Sequence, residues 1–272
     1  MNRSVKAILT LCLVYVSVCT FMWAGQRVIM YHTFYPFQIF RVQRPAGFSD
    51  LRLQDADGTH IAAWYHETRQ GYPTVLFFHG SGGNIGNRAS YLSELASAGF
   101  GVLAIDYRGY GSSEGSPTEQ GFYQDARATI DYATHTLHLL LKKLVLYGES
   151  LGTGVAVQMG TEFSAGAVIL QSPYTSTEVI AKKRYPFLPV HLLLKDRFDS
   201  IGKIGQVHVP LLIFHGDQDR NIPVREGKML FAHANEPKEI VFFPGKGHDD
   251  LSINERVKAL LAFSNKYGLV KE

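Results

Sequence analysis

Six short apolar runs recur along the chain: TVLFF from Thr74, GVLAI from Gly101, KLVLY from Lys143, AGAVIL from Ala165, VPLLIF from Val209 and KEIVFF from Lys238. Between them lie stretches with helical spacing and, once, a longer insertion. NRASYLSELASAG puts Leu92, Leu95 and Ala96 on one face, with Gly99 past its end. Strands buried on both faces read as continuous apolar runs. Parallel neighbours need a long crossover, and a helix supplies it. The pattern therefore predicts an α/β fold, a mostly parallel sheet flanked by helices. LRLQDADGTHIAAWYHE adds a hairpin turning at Asp57-Gly58, and INERVKALLAFSNKYG a closing amphipathic helix.

In open sheets of this kind ligands bind beyond the carboxyl ends of the strands. The residues of interest therefore follow each apolar run: His79 to Asn84, Asp106 to Gly111, Ser150, Ser172-Pro173, Asp217 to Pro223 and Gly245 to Asp250. The insertion, residues 174–209, is expected to form a small helical cap over that edge; an edge elaboration without a binding role is the alternative.

Gly148-x-Ser150-x-Gly152 lies between a strand, KLVLY, and a helix, GTGVAVQM. Three residues are a weak motif, but a strand-to-helix elbow is the setting in which a serine is held out at the sheet edge. The glycines allow the turn, and a helix N-terminus favours a developing anion. A serine nucleophile needs a base and a group to orient that base. His248 follows the last strand in a glycine-bearing loop, whereas His79 and His215 end strands where histidine is often structural. For the acid, HGDQDRNIP offers Asp217 and Asp219. Asp219 is further out in the loop and is expected to reach His248; Asp217 is expected to form the turn. The order Ser150, Asp219, His248 differs from the orders in chymotrypsin and subtilisin. The backbone amides of Ser81 and Leu151 are the natural oxyanion pair, with Asn84 bracing the HGSGGN loop. That loop lacks the Gly-Lys-Ser/Thr ending of a nucleotide-binding loop.

Ala7 to Gly25 carries no charge. A helix of that length spans about 28 Å, close to the ~30 Å hydrocarbon core. Arg3 and Lys6 precede it, which favours a cytoplasmic N-terminus and a catalytic domain on the other side. A cleaved signal peptide fits less well, because a cut after Ala24 would place Met22 where a small residue is wanted. Val18 likewise argues against a lipoprotein cut at Cys19. A helix buried in the core fits least, so near the N-terminus and without an amphipathic period. The expected organisation is an anchor over residues 1–25, a juxtamembrane segment over 26–49 and a catalytic domain over 50–272. Trp23, Tyr31, Phe34 and Tyr35, with Arg27, Arg41 and Arg44 among them, suit either the headgroup level or the covering of a core. Cys12 and Cys19 are the chain's two cysteines, so no disulfide and no thiol nucleophile belongs to the catalytic domain. They are read as small apolar residues facing lipid. The net charge of +3 is too mild to imply nucleic acid. No metal-ligand spacing is present, and neither a metal nor a cofactor is expected.

HGSGGN, DYRGYGSSEG, GESLGTG, HGDQDRNIP and GHDDL together resemble the motif series of α/β-hydrolase-fold serine hydrolases. The likeness runs roughly from Asp50 to the C-terminus. It is greatest with the small single-domain branch that has an N-terminal anchor, some of whose members are protein depalmitoylases. The cysteine-rich N-terminal cluster associated with those is absent here. The resemblance implies Ser150 as nucleophile, Asp219 as acid and His248 as base, in cofactor-free hydrolysis of esters or thioesters. It implies a lipid-like or small acyl substrate, and makes DYRGYG a structural loop lining the site. Two alternatives remain: amide or peptide hydrolysis by the same residues, and a membrane-tethered scaffold without chemistry. Lys182, Lys183, Arg184, Lys195 and Arg197 in the insertion suit either anionic headgroups or a solvated face.

Overall fold

The computed structural model describes residues 2–32 and 43–271. Phe34, Tyr35 and Arg41 lie outside them. In chain order the elements are α1 (Arg3–Met30), β1 (Ser49–Gln54), β2 (His60–His66), β3 (Thr74–Phe78), α2 (Ala89–Ser97), β4 (Gly101–Ile105) and α3 (Glu119–Asp131). Then come β5 (Leu144–Glu149), α4 (Gly152–Glu162), β6 (Ala167–Gln171), α5 (Thr177–Arg184), α6 (Val190–Leu193), β7 (Leu211–Gly216), α7 (Val224–His233), β8 (Lys238–Phe243) and α8 (Ile253–Lys266). The eight strands form one sheet in the order β1-β2-β4-β3-β5-β6-β7-β8. β1, β2 and β4 pair antiparallel, and every pairing from β4 through β3 to β8 is parallel.

Each central apolar run is a strand buried along its whole length, as two covered faces require. One face packs Leu76, Phe78, Leu103, Leu146 and Val168 under α3 and α4; the other packs Val75, Phe77, Val145 and Ile169 under α2 and α8. Burying such a side chain contributes about 1.5–3 kcal/mol, so the sheet is a rigid platform for the loops at its edge. α3 begins at Glu119 because Thr118 accepts a hydrogen bond from the Gly121 N–H and caps it. Ahead of α2, a 3-10 turn over Ile85–Arg88 is closed reciprocally by Asn84 and Asn87.

α4 crosses β3 so closely that a Cβ on Gly152 would lie 2.0 Å from the Phe78 carbonyl oxygen. The obstacle is backbone of a central strand and cannot swing aside. Overpacking of this kind costs about 3 kcal/mol. Gly152→Ala is therefore expected to lower Tm by roughly 6–12 °C in thermal unfolding, given ~2–4 °C per kcal/mol at this size. A Tm within about 2 °C of wild type would contradict the close approach.

α1 is long and apolar enough to cross a membrane, and none of its residues is buried. Its C-terminal half meets the insertion. Arg27 Nε donates to Asp196 Oδ2 at 2.7 Å, Gln26 bonds the Leu193 carbonyl and the Lys195 N–H, and the Lys195 ammonium sits 3.7 Å from the Trp23 ring centroid. Tyr31, one of the aromatics suited to either a headgroup or a core position, is fully buried against Phe122 at 5.1 Å between ring centroids. In the insertion Lys182 pairs with Glu178 at 2.5 Å, Lys183 bonds the Arg220 carbonyl and Arg197 bonds the His191 carbonyl. Lys182 and Arg197 thus bond within the insertion, and Lys183 ties it to the loop after β7.

Candidate active site

Ser150 sits at the turn from β5 into α4 with φ +50°, a left-handed conformation rare for a residue with a side chain. Its N–H donates to the Gln171 carbonyl of β6 at 2.9 Å, which holds the turn in place. The turn is possible because Gly148 has no side chain; a Cβ there would lie 2.4 Å from the Gly152 carbonyl oxygen.

Ser150 Oγ lies 3.0 Å from His248 Nε2, and His248 Nδ1 lies 2.7 Å from Asp219 Oδ2. Asp219 Oδ1 accepts from the Asn221 and Ile222 amides at 2.9 and 2.8 Å. These bonds fix the carboxylate and leave Oδ2 for the imidazole. An ionised carboxylate only accepts, so Nδ1 carries the proton and Nε2 is free to accept from the serine hydroxyl. Burial opposes charge on His248, but the hydrogen bond and charge of Asp219 outweigh it and raise the pKa above the ordinary histidine value. Burial also opposes the charge on Asp219, and His248 holds its pKa below the usual carboxylate value.

Asp217 is elsewhere: its Oδ1 accepts from the Gly245 N–H at 2.7 Å and shapes the turn. His79 is fully buried, its Nδ1 donates to the Gly80 carbonyl at 2.6 Å, and burial pushes its pKa down to about 3. His215 is buried too, and its Nε2 bonds the Ile222 carbonyl. Neither hydrogen-bonds a member of the serine–histidine–carboxylate row, although His215 Nε2 lies 3.7 Å from Asp219 Oδ2. Ser81 and Leu151 follow β3 and Ser150 respectively; no described residue accepts a hydrogen bond from either N–H.

Other residues of the site carry no sequence signal of their own. Arg88 and Glu149 form an ion pair at 2.5 Å beside Ser150, and a second Arg88 nitrogen bonds the Gly82 carbonyl. Burial raises the cost of ionising Glu149, but Arg88 outweighs it and keeps the pKa low. Asp106 accepts from the Ile85 N–H at 2.7 Å, and burial pushes its carboxyl up to about 7. These contacts tie the HGSGGN loop to the sheet. A cavity of about 560 Å³ opens beside His248, between the HGSGGN loop, α2, α8 and the ends of β5 and β6. Among the described residues none from 174–209 lines it. The insertion reaches the site from another side, where Tyr174 donates to the Leu151 carbonyl at 3.0 Å.

Residues 72–198 match the family model described as serine aminopeptidase, S33. An uncharacterized protein of Mycobacterium tuberculosis is 36% identical over 251 residues, covering 91% of this chain and 89% of the relative. Alpha/beta hydrolase domain-containing protein 17B of Homo sapiens is 34% identical over 185 residues, or 66% of this chain and 62% of that protein. Among solved structures, a Pyrococcus furiosus esterase superposes with a TM-score of 0.67 at 18% identity, covering 85% of this chain and 98% of the esterase. The strand order, the Ser150 elbow and these relatives agree, and the chain belongs to the α/β-hydrolase family.

Proposed function

We propose that this chain is a serine hydrolase that cleaves carboxylic esters or thioesters through an acyl-enzyme. The row from Ser150 Oγ through His248 to Asp219 carries the reading. In it His248 Nε2 removes the hydroxyl proton as Ser150 Oγ attacks the substrate carbonyl. The Ser81 and Leu151 amides receive the oxyanion, and His248 returns the proton to the leaving group. Water, activated by the same imidazole, then releases the acid and regenerates Ser150. Asp219 keeps the proton on Nδ1 and stabilises the imidazolium.

We read residues 1–25 as an uncleaved anchor, 26–49 as its juxtamembrane continuation and 50–272 as the catalytic domain, with 174–209 as a cap. Arg3 and Lys6 favour a cytoplasmic N-terminus and a domain on the other side. The exposed Phe187 and Leu192 of the insertion suit a lipid surface.

The test is turnover by the full-length protein of p-nitrophenyl esters and acyl thioesters of increasing chain length beside matched p-nitroanilides. Esters or thioesters are expected to exceed the anilides by at least about 100-fold in kcat/KM, a difference of roughly 2.7 kcal/mol in transition-state stabilisation. Activity confined to anilides would assign the chain to amide hydrolysis instead.

A further inference from the structure

Within the insertion, Tyr185 to Leu194 reads YPFLPVHLLL, with no Asp, Glu, Lys or Arg. Charged residues flank it on both sides, Lys182-Lys183-Arg184 before and Lys195-Asp196-Arg197 after. The backbone of this stretch is closed on itself. The N–H groups of Tyr185, Leu188, Val190, Leu192, Leu193 and Leu194 all bond carbonyls of residues 181–190. Pro186 and Pro189 have no N–H to satisfy. The Phe187 carbonyl accepts the Tyr15 hydroxyl of α1 at 3.0 Å. Internal pairing of this kind is what an apolar solvent demands of a backbone, and water does not. Yet the apolar side chains are not folded away, for Phe187 is 64% exposed and Leu192 73%.

Exposure by itself does not name what covers them. Leu140 is 71% exposed too, but it precedes β5 at the amino ends of the parallel strands, whereas the insertion follows the carboxyl end of β6. The neighbour that distinguishes them is α1. It packs against α6 and runs beside the stretch from Gln26, at Leu193, to Tyr15, at Phe187. Tyr15, Cys19, Met22 and Gln26 are spaced for one helix face, and the last three are partly covered. Trp23, with the Lys195 ammonium over its ring, and the Arg27–Asp196 ion pair mark one headgroup level for both elements. From Trp23 back to Tyr15 the helix advances about 12 Å. A helix that enters a bilayer beyond Trp23 therefore takes the stretch beside Tyr15 in with it. Phe187 then lies on the order of 10 Å below the headgroup level, a depth at which interfacial apolar faces rest.

We propose that residues 185–194 are a second membrane-inserted element, which lays Phe187 and Leu192 into the acyl layer of the bilayer that α1 enters. The inference rests on reading α1 as an anchor and goes beyond it. An anchor alone would leave the catalytic domain free to swing on a tether. A second attachment fixes the insertion against the lipid surface. Tyr174, where the insertion begins, bonds the Leu151 carbonyl next to Ser150, so the edge of the sheet that carries Ser150 is held there as well.

The test uses the full-length protein with Cys12→Ala and Cys19→Ala, which leaves no other thiol, reconstituted in phosphatidylcholine vesicles. Into it go, one at a time, Leu11→Cys on α1, Phe187→Cys, Leu192→Cys and Leu140→Cys, each carrying an NBD dye. All four positions are exposed, so the dye displaces no packed side chain. Lipids bearing a nitroxide on the acyl chain quench a dye that shares their layer. Quenching at Phe187→Cys and Leu192→Cys is expected to exceed that at Leu140→Cys by at least about threefold, as insertion to ~5–10 Å requires. Quenching of Leu11→Cys without that of the two insertion positions would overturn the second element and leave the anchor. Equal quenching at Leu140→Cys and Leu192→Cys would overturn it too, since exposure would then account for the effect. Absence of quenching at every position, Leu11→Cys included, would remove the anchor reading and the inference with it.

Discussion

Replacing Ser150 with alanine is expected to lower kcat on a p-nitrophenyl ester by about 10⁶-fold, the order seen when a serine hydrolase loses its nucleophile. The change removes one oxygen. Alanine meets the same left-handed backbone at φ +50° as serine does, and the Ser150 N–H bond to Gln171 belongs to the backbone. The elbow therefore remains, and Tm should stay within about 2 °C of wild type. Substrate would still bind beside His248 with nothing to attack it. Residual activity above about one-hundredth of wild type in folded protein would assign the chemistry to another residue.

Asp219→Asn is expected to lower kcat by about 10⁴-fold with little change in fold. Asparagine can keep its carbonyl oxygen on the Asn221 and Ile222 amides, which Asp219 Oδ1 bonds now. Its NH₂ would then face His248 Nδ1, where the carboxylate oxygen is 2.7 Å away. A donor in that place forces the imidazole proton onto Nε2, and His248 can no longer accept from Ser150. The pH profile should change as well. Only neutral His248 is a base, so activity rises with pH through its pKa. In wild type burial lowers that pKa, but Asp219 outweighs burial and raises it. The rising limb should therefore be centred above the ordinary histidine value of about 6.5. In Asp219→Asn burial acts without its main opponent, and the residual activity should rise at lower pH. A limb displaced upward would contradict the role given to Asp219.

The strands were legible because burial on both faces leaves a continuous apolar run, as in TVLFF and GVLAI. The hairpin at Asp57-Gly58 was legible from its turn. Helix starts were less so, because they depend on capping: Asn84 with Asn87 sets a 3-10 turn before α2, and the Thr118 side chain caps the start of α3. At the site, the setting of Ser150 between a strand and a helix is local and can be read along the chain. The choice between Asp217 and Asp219 cannot, since two residues in one loop differ only in what their side chains reach. The structure puts Asp217 on Gly245 and Asp219 on His248. The pair Arg88–Glu149 and the cluster of Arg256, Gln171 and Tyr91 join residues far apart in sequence, and no local pattern announces them. Tyr31 follows an apolar helix and suits a headgroup as readily as a core until the ring of Phe122 is found beside it.

The most direct measurement is peptide mapping by mass spectrometry after the folded full-length protein has reacted with a fluorophosphonate. An activated serine hydroxyl at the β5–α4 turn predicts one adduct per chain, on the peptide that carries Ser150. Folded protein that takes up no label, or takes it up on a different residue, would contradict the account.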